Sequence, residues 1–214
     1  IEAALEDMAE GIDDSFILRL SGRSLINAQT TSDVATASVQ STAIVAVVIL
    51  LMLTSIHTFR NQNDITEGIQ RGFASWIPLM MVVVWVYGLM GYTGYNINSQ
   101  TVTIGALSLG LGVDYAVHFT TRLEEEAEHD PRATPHEWVA RSTATTGRAM
   151  GGAALTTAGG FAVLNLSALL PLRLFGQAFV VAITLALLSS LLILPALYTP
   201  FLRRTAAKAL GEEE

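Results

Sequence analysis

The 214-residue sequence contains no cysteine and a single lysine, Lys208, beside eleven arginines. Without cysteine there are no disulfides, no thiolate metal sites and no cysteine nucleophile. Charge of either sign is scarce: 14% of residues are Asp, Glu, Lys or Arg, where a soluble domain carries about 25%. The scarcity is also concentrated. No charged residue falls between Arg71 and Asp114, a run of 42 residues, and none between Asp33 and Arg60, a run of 26. A bilayer crossing needs about 20 apolar residues, so the longer run accommodates two. A net charge of −7, with no basic stripe or aromatic platform, excludes nucleic acid as a partner.

What is present is apolar. Hydrophobic residues make up 51% and the mean hydropathy is +0.46, which places the chain among integral membrane proteins. The pattern predicts an all-α membrane domain over 34–205, with five transmembrane helices at about 40–59, 73–92, 101–121, 149–169 and 174–201. Asp64 and Glu67 have capping-box spacing, as do Thr134 and Glu137, the latter with Pro135 at the first helical position. Pro78 predicts a kink in the second span. The acidic stretch from Glu124 to Pro131 predicts an abrupt exit from the membrane, followed by an amphipathic helix whose Trp138 and Arg141 suit the interface. Gly147 and Gly151 make a GxxxG pair at the entrance to the fourth span, where small residues let helix backbones approach.

The first 33 residues read differently. Residues 2–10 predict an amphipathic helix and residues 16–20 a strand. A lone strand cannot satisfy its edges, and an opening Ile1 with no signal-peptide character adds to the expectation of a piece of a longer polypeptide. Orientation follows from the basic residues. Nine of them lie at 60–71, 122–148 and 203–208, against Arg19, Arg23 and Arg173 on the other side. Positive-inside bias then predicts a multi-pass protein of the cell membrane with a cytoplasmic C-terminus, its tail at 206–214, and residues 1–33 outside.

The chemistry centres on Asp114, an acid at the edge of the longest apolar run. Near a helix centre such a group costs roughly 2.5–3.5 kcal/mol on insertion scales. On a helix, Ala106, Gly110, Asp114 and His118 share a face, and small residues ahead of the acid predict a close helix contact where it points. Tyr115 adds a hydroxyl beside it. Two readings stand: a protonatable acid that cycles between charged and neutral forms, and a structural acid satisfied by neighbouring polar groups. Spacing does not separate a proton from a sodium site. Thr156, Thr157 and Asn165 are the polar residues of the Gly-rich fourth span, placed to reach Asp114 or to serve as helix glue.

Enzymatic alternatives fail. Gly110-Leu-Gly-Val-Asp114 has one residue more than the Gly-x-Gly-Asp of intramembrane aspartyl proteases, and no second membrane-embedded Asp exists to form a dyad. No serine-hydrolase motif is present, and no histidine has metal-ligand spacing around it.

Gly110-x-x-x-Asp114-Tyr115, then His118-Phe119 and the Arg122-Leu-Glu-Glu exit, resemble the fourth transmembrane helix of resistance-nodulation-division (RND) transporters, in the branch of the MmpL exporters and Patched-like proteins. The Ser21-Gly-Arg-Ser-Leu-Ile-Asn27 segment, the Phe59-Arg60 exit, the Gly88-Leu-Met-Gly91 turn, the Thr156-Thr-Ala-Gly-Gly160 stretch and Leu194-Pro195 also look like that family. The resemblance implies that residues 1–33 end an extracytoplasmic domain and that the five helices belong to one half of a two-half transporter. It further implies no enzyme and no cofactor. The implied activity is proton- or sodium-driven export of lipids or other hydrophobic compounds. Asp114 and Tyr115 would form the ion relay, with Gly110, His118, Thr156, Thr157 and Asn165 in support, and the complementary half and membrane lipids would be partners. A sterol-sensing-type lipid-binding module without transport uses the same set of helices and stands as the alternative.

Overall fold

A computed structural model describes residues 23–60, 64–94 and 103–211. The predicted strand at 16–20 and helix at 2–10 lie outside these residues. Among the described residues the chain is helical throughout, with no strand. The helices are α1 (Arg23–Arg60), α2 (Ile65–Tyr92), α3 (Ile104–His129), the short α4 (Pro135–Ser142), α5 (Arg148–Ala162), α6 (Leu170–Leu188) and α7 (Leu194–Leu210). A π-helical turn, Thr143–Gly147, joins α4 to α5, a second, Ser189–Ile193, joins α6 to α7, and a 3₁₀ turn, Val163–Leu166, closes α5.

Four helical stretches among the described residues are long and apolar enough to cross a membrane: Val39–Arg60, Ile65–Tyr92, Pro135–Leu166 and Leu170–Leu210. The third of the five predicted spans is α3, which is long enough at 26 residues, about 39 Å by helical rise. Asp114 and His118 make it less apolar than the other four. It is nonetheless the middle of the bundle, packed against α1, α2, α4, α6 and α7. Its apolar side, Leu109, Ala116, Phe119 and Leu123, is fully buried. Helix α5 packs chiefly on α6, through Phe161 against Phe175 and Phe179.

Local chemistry explains the helix boundaries. Asp64 caps α2 by accepting from the backbone N–H groups of Thr66 and Glu67. The Thr134–Glu137 capping box is complete in both directions. Pro195 cannot donate to the carbonyl four residues back and its ring crowds that carbonyl; the widened turn at Ser189–Ile193 lies where this is absorbed. Ser189 there donates to the carbonyl oxygen of Pro78 (2.9 Å), tying α6 to α2.

The acidic stretch after Arg122 stays helical and packed on the bundle: α3 continues to His129, with Glu124 and Glu126 buried, because Leu123 and Ala127 extend its apolar face. Two expectations are corrected. Trp138 does not sit at an interface; it is 2% exposed and donates to the carbonyl oxygen of Asp130, while Arg141 pairs with Asp130. The GxxxG pair that brings two helices together is Gly68 and Gly72 on α2. A Cβ at Gly68 would lie 2.0 Å from Thr58 Oγ1 and one at Gly72 2.9 Å from Thr54 Cα, both on α1. Of the expected pair, a Cβ at Gly147 would lie 3.2 Å from Leu191 Cδ2, while one at Gly151 would meet nothing within 4 Å.

Candidate functional site

The helical spacing places Gly110, Asp114 and His118 on one face of α3, and that face points away from the bundle. All three are exposed, and a Cβ built on Gly110 meets nothing within 4 Å. The close contact expected beside Asp114 is therefore not made by any described helix of this chain. Asp114 has no hydrogen bond or ion pair among the described residues. Tyr115, one residue on and about 100° around the helix, turns inward and is buried in the core.

The polar residues of the fourth span do not join Asp114. Thr156 and Thr157 donate to the carbonyl oxygens of Gly152 and Ala153 in their own helix, and Asn165 to that of Ala162. Gly152, Gly159 and Gly160 are exposed, with open space where a side chain would stand. Among the described residues two faces thus lie uncovered, one carrying an acid and the other glycines.

A second polar site, unforeseen from the sequence, lies at the other end of α3. Glu124 is 3% exposed. Arg71 donates to it through Nη1 (2.7 Å), Arg60 Nε lies 3.2 Å from its other oxygen, and the Tyr198 hydroxyl donates to it in a short hydrogen bond. Arg71 also reaches Glu67 through Nε and Nη2, and Thr205 Oγ1 at 2.9 Å. Lys208 Nζ sits 2.8 Å from the far oxygen of Glu67. His57, 3% exposed, places Nδ1 3.2 Å from the Tyr198 hydroxyl and Nε2 3.2 Å from Ser75 Oγ.

The cluster joins α1, α2, α3 and α7. An isolated buried charge costs several kcal/mol after relaxation, so the three cations and two carboxylates are held there only because each meets an opposite charge. Beside it opens a cavity of about 370 Å³ lined by Arg60, Arg71, Glu124, Glu128, Thr205 and Lys208. The partners are 53, 74 and 134 residues apart in sequence, so spacing carries no trace of the cluster. The one legible signal is that Glu124 follows Thr120 and Ala116 on the buried face of α3.

A family model described as MMPL family matches residues 2–210. The chain belongs to the MMPL family. Relatives of this MMPL chain include SCO6666 of Streptomyces coelicolor, described as a membrane protein, 32% identical over the whole chain and 30% of the relative's length. MJ1562 of Methanocaldococcus jannaschii, also described as a membrane protein, is 31% identical over 56% of the chain and 31% of its own length. ActII-3 of Streptomyces coelicolor, again a membrane protein by description, is 36% identical over 54% of the chain and 16% of its own length. The MMPL chain spans less than a third of the length of these relatives.

Proposed function

We propose that this chain forms the five-helix membrane part of one half of an RND-type secondary active exporter. In this reading α3 is the third of the five crossings, and proton flow, with sodium as the competing ion, drives export of a lipid or other hydrophobic compound. The observation that carries the reading is Asp114: an ionisable acid on the central helix of an MMPL chain, facing away from its own bundle, with Gly110 one turn before it leaving room for another helix.

A carboxylate left facing lipid would be costly. The complementary half, in the same polypeptide or a second subunit, would cover that face. Once covered, the acid sits in a low-dielectric contact where taking up and losing a proton changes how the two halves attract each other. Tyr115 and His118 flank it, and Thr156, Thr157 and Asn165, which bond within their own segment here, support the site once the complementary half is in place. The C-terminus and the Glu124 end of α3 are cytoplasmic in this reading, on the positive-inside bias.

Membrane vesicles holding the full-length protein test the reading. Efflux of a fluorescent lipid should stop when the proton gradient is collapsed and persist when only the sodium gradient is removed. The reverse result would assign sodium. Efflux indifferent to both, with the lipid still bound, would replace the exporter by a lipid-sensing module.

A further inference from the structure

The proposed function uses Asp114 and leaves the buried groups around Glu124 without a task. The geometry points to a proton-exit relay, Ser75–His57–Tyr198–Glu124, that carries protons from the interior of the bundle to the cavity at the ends of α3 and α7. The inference rests on the proton-driven reading above.

Three hydrogen bonds run in series across four helices: Ser75 Oγ to His57 Nε2 at 3.2 Å, His57 Nδ1 to the Tyr198 hydroxyl at 3.2 Å, and Tyr198 to Glu124 Oε1. Ser75, His57, Tyr198 and Glu124 are each at most 3% exposed. The direction of the bonds is fixed by their end. Glu124, paired with Arg60 and Arg71, accepts from the Tyr198 hydroxyl. Tyr198 has one proton and gives it to Glu124, so His57 donates to Tyr198 from Nδ1–H. A neutral imidazole with its proton on Nδ1 accepts at Nε2, and Ser75 is the donor there. Every donor points toward Glu124, which lines the cavity.

One passage moves one proton along each bond. A proton reaching Ser75 Oγ releases the Ser75 hydroxyl proton to His57 Nε2. The Nδ1 proton passes to the Tyr198 oxygen, the Tyr198 proton passes to Glu124, and Glu124 loses a proton into the cavity. Each atom ends with its ordinary valence, and rotation of the hydroxyls and imidazole resets the chain. The cavity, about 370 Å³ and lined by Glu124 and exposed Glu128, has room for several waters. Arg60 and Arg71 face Glu124, and Glu67 and Lys208 pair with each other on the far side of Arg71. Helix glue needs one hydrogen bond between two helices. A polarised series that ends at solvent fits conduction.

The test uses the full-length protein in proteoliposomes with a trapped pH-sensitive dye, and reads proton flux per inserted, folded protein under an imposed pH gradient. Tyr198→Phe keeps the ring and removes the relaying oxygen; His57→Gln keeps polar contacts on both sides without an imidazole. Each should lower flux about a hundredfold or more, the scale on which a positioned proton-transfer group acts. Ser189→Ala, which removes a buried bond between helices outside the series, should stay within twofold of wild type. Wild-type flux in either relay variant would overturn the relay, as would an equal fall in Ser189→Ala, which would mark the series as glue. Wild-type vesicles without proton flux would overturn the proton-driven reading as well, so the two failures are distinguishable.

Discussion

Arg71 shows at the residue scale why arginine rather than lysine holds the interior of this bundle. Its planar fork donates to Glu67, Glu124 and Thr205 at once, where a lysine ammonium is a point charge on a flexible stem. Removing one member of a buried ion pair strands its partner and costs about 3–5 kcal/mol. Arg71→Ala should therefore lower the thermal stability of the detergent-solubilised protein by an amount on that scale. Arg141 is the comparison: it pairs with Asp130, and the two side chains are 46% and 41% exposed. Exposed pairs contribute about 0–1 kcal/mol, so Arg141→Ala should shift the melting curve little. Equal losses in the two variants would show that the Arg71 fork is not the strong contact its geometry indicates.

Two glycine sites give opposite expectations at the scale of helices. At Gly68 a Cβ would strike both side chain and backbone of Thr58, so α1 and α2 must part to admit one. Overpacking of this kind costs about 1–3 kcal/mol, and Gly68→Leu should reduce accumulation and melting temperature. At Gly110 there is open space within this chain. Gly110→Leu should leave stability within about 0.5 kcal/mol of wild type, as open surface substitutions do, while blocking export if another half packs there. Export unchanged in Gly110→Leu would mean that this face meets lipid. The same pair shows what sequence could reveal. Helix boundaries at Asp64 and Thr134 were legible because a cap is a local event, set by one side chain and the amides beside it. Which pair has both glycines in contact was not, since Gly68-x-x-x-Gly72 and Gly147-x-x-x-Gly151 look alike and only the paths of the neighbouring helices separate them. Trp138 was misread for a related reason: an amphipathic helix has the same pattern whether lipid or protein covers its apolar side.

For the whole molecule, the membrane class and the family were legible because they rest on composition and on a run of residues around Asp114 along one helix. The Glu124 cluster was hidden because its members come from four helices and read, one by one, as loop charges. Topology is open to direct measurement in a chain without cysteine. Cysteines introduced at Glu125 and Thr93, both exposed, should label with a membrane-impermeant reagent from opposite faces. Labelling from one face would remove the arrangement in which α2 and α3 both cross.

The central claim is that Asp114 carries the coupling ion, and Asp114→Asn in the full-length protein tests it most directly. The amide keeps the size and much of the hydrogen bonding of the acid but cannot gain and lose a proton. The driving force at stake is about 2.3 kcal/mol per charge per 100 mV of membrane potential. With protein level and insertion measured alongside in energised vesicles, the account predicts a protein that inserts and melts as wild type does and exports nothing in response to the gradient. Normal gradient-driven export by Asp114→Asn would contradict it and leave Asp114 a structural acid.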